Sequence, residues 1–138
     1  MSYLRFEKAV MTNLEESLRR ELLRTNRSGA YACSTIVDCN TRKYHGLLVV
    51  PVPELDDENH VLLSSLDVTV VQHGAEFNLG LHKYQGNNYS PKGHKYIREF
   101  DCDKVPTTIY RVGGVVLKKE VVFQHYEDRI LLRYTLVD

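Results

Sequence analysis

The chain has 138 residues, 43% of them apolar, and its 18 basic and 18 acidic side chains cancel to a net charge of zero. This length predicts one domain with a buried core, and the zero net charge gives no electrostatic reason to expect a nucleic acid or a membrane as partner. The sequence has no apolar run of membrane-spanning length and no secretion signal at its start. Its 3 cysteines, an odd number without a CxxC pair, favour reduced thiols in the cytoplasm over disulfides or a zinc site.

The first part of the chain predicts one short N-terminal helix followed by a turn. Leu14, Leu18 and Leu22 fall at helical spacing. A capping box precedes them, with either Thr12 or Asn13 as the cap. Residues 22–25 could instead enter a strand. The NRSG segment at residues 26–29 has the composition of a turn.

From residue 30 onward, apolar residues recur with the period of two that is typical of strands. Strand patterns cover residues 31–37, 47–50, 66–71, 75–81, 96–100, 107–123 and 130–136. The segment 47–50 is apolar throughout, which predicts a strand buried on both faces. A tight turn is predicted at His73 and Gly74, and the QGNNYSPKGHK segment at 85–95 is predicted to be a long polar loop, of the kind that often carries function.

The strongest local signal is a hairpin that has Gly113 and Gly114 as its two-residue loop. The predicted pairs are Val112 with Val115 and Tyr110 with Leu117. Lys119 is then the charged exception on an otherwise apolar face, and we interpret its side chain as solvated.

These patterns predict a mostly β fold, an antiparallel β-sandwich, and they exclude a nucleotide-binding parallel sheet because no strand–helix–strand unit is present. Residues 1–138 are predicted to form a single β-sandwich domain or a truncated part of one. A strand pattern runs almost to Asp138, and an uncovered edge strand invites aggregation, so we expect the natural polypeptide to continue.

The densest group of chemically versatile residues is the segment NTRKYHG at residues 40–46, directly before the apolar strand. It supplies an amide from Asn40, a guanidinium from Arg42, a phenol from Tyr44 and an imidazole from His45. These groups hydrogen-bond sugar hydroxyls, and a tyrosine ring stacks on a sugar face. The alternative is a structural role, in which Asn40 caps the turn, Tyr44 and His45 pack, and Arg42 pairs with a carboxylate.

The segment NTRKYHGLLVV resembles the NTRRYHGLLVA signature of the N-terminal domain of bacterial and archaeal glycogen debranching enzymes (amylo-α-1,6-glucosidases). The upstream segment ELLRTNRSGAYA at residues 21–32 is similar to that family's EWLxTNGxGGYA. Further residues fit in the same order: Pro91, Lys92, Gly93, Tyr96, Phe100, Pro106 and the YRVGG hairpin at 110–114. The chain departs from the family pattern where it has Leu22 or Leu23 for tryptophan, and Arg27 and Ala30 for two glycines.

The resemblance implies a twisted, supersandwich-like β-sandwich that precedes a helical catalytic barrel. It implies a parent enzyme that hydrolyses the α-1,6-linked glucose at trimmed branch points of glycogen. The domain itself would pack on the downstream helical domain and lend loops to a cleft for α-glucans such as glycogen and malto-oligosaccharides. Arg42, Tyr44 and His45 would face that cleft or the domain interface, with Asn40 shaping the turn.

No catalytic residue is assigned, because glycoside hydrolysis needs two carboxyl groups across one bond and no such pair is singled out in the sequence. The chain alone is therefore expected to be inactive. Two other functions stay open: a stand-alone glucan-binding module without enzymatic activity, and a sugar mutarotase, which needs a positioned acid and base. No metal or cofactor is expected, because the six histidines are scattered and the paired glycines are a hairpin turn rather than a phosphate loop.

Overall fold

The computed structural model describes residues 4–138, which form thirteen β-strands, two short α-helices and one 3-10 helix. The helices are α1 (Lys8–Met11) and α2 (Leu14–Ser17), and the 3-10 helix covers Gly93–Tyr96. The strands are β1 (Arg5–Glu7), β2 (Glu21–Thr25), β3 (Tyr31–Thr35), β4 (Gly46–Pro51), β5 (Asn59–Leu63), β6 (Thr69–Gln72), β7 (Ala75–Asn78), β8 (His82–Tyr84), β9 (Asn88–Ser90), β10 (Ile97–Cys102), β11 (Pro106–Val112), β12 (Val115–Phe123) and β13 (Ile130–Leu136). The strand pairs are antiparallel, which confirms the predicted mostly β fold.

Most of the strands form two sheets that pack against each other. The five-stranded sheet has the order β1-β10-β11-β12-β13, the four-stranded sheet has the order β2-β3-β4-β5, and β6-β7 and β8-β9 are separate hairpins. Ala32 and Val50 of the four-stranded sheet pack against Phe123 of the five-stranded sheet. Arg24 in β2 also reaches across and donates a hydrogen bond to the carbonyl of Lys104 at 3.1 Å. This arrangement is consistent with the predicted β-sandwich.

The larger hydrophobic core joins the helices and the end of β3 to the five-stranded sheet. Its buried members are Met11, Ile36, Val37, Cys39, Leu79, Leu81, Ile97, Phe100, Tyr110 and Val112. The predicted N-terminal helix is present as two single turns rather than one helix. Asn13 is the cap of the second turn, since its side chain accepts a hydrogen bond from the backbone N–H of Glu16 at 3.2 Å.

The hairpin of β11 and β12 has the predicted register, with Val112 opposite Val115 and Tyr110 opposite Leu117. Gly113 and Gly114 both have positive φ, as the tight turn requires. The interpretation of Lys119 as a solvated side chain is wrong. Lys119 is 8% exposed, and it points between the sheets because it shares the apolar face of β12.

The prediction of a long polar loop at residues 85–95 is also wrong. The segment instead contains the turn and second strand of the β8–β9 hairpin, followed by the start of the 3-10 helix. Gly86 and Asn87 adopt positive φ and turn the chain, so strands of three residues fit on either side. The short strands β1 and β5 were not predicted either. Within residues 4–138, no helix is long and apolar enough to cross a membrane.

Candidate functional site

The loop between β3 and β4, residues 36–45, carries all four predicted site residues. Its base is fixed by the hydroxyl of Thr35, which donates to the carbonyl of Cys39 at 2.8 Å and accepts from the same residue's N–H at 3.0 Å. Asn40 bridges two neighbouring segments, because it accepts from the hydroxyl of Ser34 at 2.7 Å and donates to the carbonyl of Ser64 at 2.9 Å. Asn40 therefore ties this loop to both neighbouring segments.

His45 organises the second half of the loop from beneath. Its Nδ1 accepts hydrogen bonds from the backbone N–H groups of Thr41 at 2.9 Å and Arg42 at 3.2 Å. Because Nδ1 is an acceptor, the ring proton lies on Nε2, which donates to Oε1 of Glu21 at 2.8 Å. The His45 side chain is fully buried, so the ring fixes both the loop and the carboxylate of Glu21.

Glu21, at the start of β2, is the centre of the cluster. Its Oε1 accepts from Nε of Arg42 at 2.6 Å as well as from His45, and its Oε2 accepts from the hydroxyl of Tyr44 at 3.3 Å. Partial burial raises the pKa of this carboxyl, but the hydrogen bond and charge of Arg42, together with the hydrogen bond from His45, outweigh it and hold the pKa below its usual value. We call Glu21, Arg42, Tyr44 and His45 the Glu21 cluster.

Tyr44 connects the Glu21 cluster to the surface. Tyr44 is 48% exposed, and its ring contacts the ring of His45 edge to face at a centroid distance of 5.1 Å. The hydroxyl of Tyr31 in β3 donates to the carbonyl of Tyr44 at 3.0 Å, so both tyrosines are anchored through hydrogen bonds. Aromatic rings held in this way present a fixed surface to solvent.

An open groove of about 610 Å³ lies next to the Glu21 cluster on the solvent side of β2 and β3. We call it the β2–β3 groove, and its lining residues are Leu23, Thr25, Arg27, Gly29, Ala30, Tyr31, Cys33 and Tyr44. The side chains of Leu23 and Cys33 share this face because the two residues are directly paired. Burial raises the pKa of the Cys33 thiol, so Cys33 contributes an uncharged, apolar part of the groove.

One end of the groove is closed by a turn that Asn26 holds in place. This residue is fully buried, and its Oδ1 accepts from the N–H groups of Ser28 at 2.9 Å and Ala30 at 3.1 Å. Its Nδ2 donates to the carbonyl of Glu127 at 2.9 Å and to the side chain of Asp128 at 3.2 Å. All the hydrogen-bonding capacity of this amide is used internally, so its role is to position the groove rather than to bind a ligand.

A second polar feature lies between the sheets, where the Lys119 ammonium forms an ion pair with Asp38 beside the ring of Tyr110. Burial disfavours the charged lysine, but the attraction of Asp38 exceeds that effect and raises the pKa of Lys119 above its usual value. Asp38 itself has the left-handed backbone conformation, with a φ of 59°. The cavity around the pair holds about 40 Å³, which is room for one or two waters rather than a sugar.

The structure brings the predicted residues together but gives them unequal access to solvent. The side chain of Arg42 is 59% exposed and Tyr44 is 48% exposed, whereas Asn40 is partly buried. The ring of His45 lies beneath the loop, where backbone N–H groups hold it inward. That His45 faces a cleft or a domain interface stays a prediction. Glu21 was missed: it lies twenty-one residues before Arg42 in the sequence, and only the pairing of β2 with β3 brings the two together.

No group of three or more histidine, cysteine or carboxylate side chains that could hold a metal ion is present among residues 4–138. A profile for the family described as glycogen debranching enzyme N terminal matches residues 20–138. That range contains the Glu21 cluster, the β2–β3 groove and most of both sheets. A comparison with curated proteins and one with solved structures each found no match.

Proposed function

Because the chain belongs to the glycogen debranching enzyme N-terminal family, we propose that it is the non-catalytic N-terminal domain of a glycogen-debranching α-1,6-glucosidase. In this proposal the domain packs on a helical catalytic domain of the parent enzyme and contributes the loop at residues 36–45 to the α-glucan cleft. The enzyme would act in the cytoplasm, in keeping with the free thiols of Cys33, Cys39 and Cys102.

The observation that carries the proposal is the way in which Arg42 and Tyr44 are held. Both side chains are about half exposed, yet each is fixed by Glu21, which is itself fixed by the buried His45. An exposed ion pair contributes little to the stability of a fold. A gain in stability therefore does not explain why an arginine and a tyrosine are fixed in place through a buried histidine. A preorganised surface for a ligand or a partner domain gives such a reason.

The same geometry supports a non-catalytic role. The carboxylate of Glu21 receives three hydrogen bonds, and its pKa is held low, so it is a poor proton donor at neutral pH. A glycosidase needs a carboxylic acid of raised pKa facing a second carboxylate across the scissile bond. Glu21 is therefore a poor candidate for the catalytic acid, and in our proposal the catalytic carboxylates belong to the helical domain.

The test is an assay of branch-point hydrolysis by the full-length enzyme that carries Arg42→Ala. Loss of a charged hydrogen bond to substrate or to the partner domain is worth about 1.5–3 kcal/mol, so activity should fall by about tenfold or more. Arg133→Ala is the matched control, since Arg133 forms a similar exposed pair with Glu120 on the five-stranded sheet. It should leave activity unchanged.

Thermal unfolding of the same variants separates a folding defect from a functional one. If Arg42→Ala leaves both the activity and the melting temperature of the full-length enzyme at wild-type values, the proposed role of the loop is refuted. If both arginine variants lower activity equally, the effect is not specific to the Glu21 cluster, and the proposal fails in the same way.

A further inference from the structure

We propose that the β2–β3 groove is a surface binding site for an α-1,4-linked glucan chain. The choice of glucan rests on the proposed function, while the site itself rests on the geometry of the groove. A site of this kind would hold a glucan on the solvent side of the four-stranded sheet, beside the loop that carries Arg42.

The floor and wall of the groove suit the apolar face of a sugar ring. Leu23 is 59% exposed on the floor, and the anchored rings of Tyr31 and Tyr44 stand beside it. Ligand sites are mostly apolar surfaces with a few placed polar groups, and rigid tyrosines supply contact area at a low entropic cost. An exposed leucine beside two anchored tyrosines in one groove supplies such an apolar binding surface.

Polar groups that can hydrogen-bond sugar hydroxyls lie at both ends of the groove. At one end, the hydroxyl oxygen of Tyr44, whose proton is donated to Glu21, and Oε2 of Glu21 supply hydrogen-bond acceptors. Towards the other end, Thr25 supplies a hydroxyl and Arg27 a guanidinium that forms no ion pair with any residue in the range 4–138. Glu21 and Thr25, at the two ends of β2, are four residues apart, or about 13 Å along an extended strand, which is long enough for a short oligosaccharide.

The charge of the groove favours a neutral ligand. No carboxylate is among the lining residues, and the charge of Glu21 at the margin is balanced by Arg42. Arg27 is left as the single formal charge in the lining, which is too little to select a polyanion. A neutral chain that is rich in hydroxyl groups, with apolar ring faces, fits this combination of surfaces.

The experiment is a titration of the ¹⁵N-labelled chain with maltohexaose, followed by amide chemical shifts. A shallow open groove should bind with a dissociation constant on the order of 1 mM. The shifts should be confined to residues 23–33 and Tyr44. Tyr44→Ala should weaken binding by about fivefold or more, because it removes an aromatic contact. Tyr84→Ala is the control, since Tyr84 is similarly exposed but lies on β8.

Three results would overturn the inference. The first is the absence of shifts at about 10 mM maltohexaose, which is tenfold above the expected dissociation constant. The others are shifts centred away from the groove and equal binding of the β-1,4-linked cellohexaose. The first would leave the groove as a surface for the catalytic domain. The outcome is independent of the Arg42→Ala assay in the full-length enzyme. Failure of the titration alone removes the sugar site, whereas failure of the Arg42 assay alone removes the proposed role of the loop.

Discussion

Replacing Asp38 with Asn is expected to destabilise the domain by about 3 kcal/mol, whereas replacing Lys119 with Met should cost less than about 1 kcal/mol. The difference follows from exposure, because the side chain of Lys119 is 10% exposed and that of Asp38 is 48% exposed. Without Asp38, a buried ammonium loses its counter-charge. Without Lys119, the carboxylate is solvated in place, and a methionine fills the space beside Tyr110.

Asn is the replacement of choice because it tolerates the left-handed backbone conformation of Asp38 and nearly preserves the side-chain shape. Unfolding in urea, followed by circular dichroism, measures the two free energies and that of the double variant. The double variant should resemble Lys119→Met alone, since the cost of an unpaired lysine is absent when the lysine is gone. A larger loss for Lys119→Met than for Asp38→Asn would refute the argument from burial.

Three further predictions concern features that hold the two sheets and the hairpins in place. Asn26→Ala should lower the free energy of unfolding in urea titrations by about 2–4 kcal/mol, because it leaves buried backbone groups without hydrogen-bond partners. A loss below about 0.5 kcal/mol, the size expected of a neutral surface change, would contradict this. Gly93→Ala should cost about 3 kcal/mol or prevent folding, as seen by circular dichroism, because an added Cβ overlaps the backbone carbonyl of Leu79; a wild-type melting curve would show that the contact relaxes freely. Burial, together with the charges of Lys92 and Lys95, lowers the pKa of His94 in the folded domain. As the pH falls, the unfolded chain therefore binds a proton at His94 before the folded domain does. The free energy of unfolding should decrease as the pH drops below about 6.5. His94→Gln should flatten the slope of unfolding free energy between pH 7 and pH 5, on either side of the ordinary histidine pKa of about 6.5, and an unchanged slope would exclude His94 as its source.

Features that depend on neighbouring residues were predictable from the sequence. The Gly113–Gly114 hairpin and the turn at His73 and Gly74 were predicted because a two-residue loop fixes the register of the strands on either side. The segment at residues 85–95 was misjudged because strands of three residues give too short an alternation to recognise. Its polar composition matched a loop, although Gly86 and Asn87 make a tight turn within it.

Features that depend on distant residues were not predictable in the same way. The motif at residues 40–46 identified the loop, but not that the ring of His45 turns inward. That orientation comes from backbone N–H groups of the folded loop, which no residue pattern displays. Glu21 was missed as the partner of Arg42 because the two meet only when β2 pairs with β3, and Asp38 was missed as the partner of Lys119 because the two sheets must first pack together.

The pairing of β1 with β10 has a consequence for the order in which the domain assembles. Phe6 lies opposite Phe100, so the five-stranded sheet cannot be completed until most of the chain exists. The strands β2 to β5 follow one another along residues 21–63 and close only short loops. During synthesis from the N-terminus, the four-stranded sheet can therefore form first. β1 pairs only later, because its partner strand β10 lies nearly a hundred residues further along the chain. Such non-local pairing is typical of slow folding, and it leaves the backbone of β1 without its partner strand while the chain is still being made.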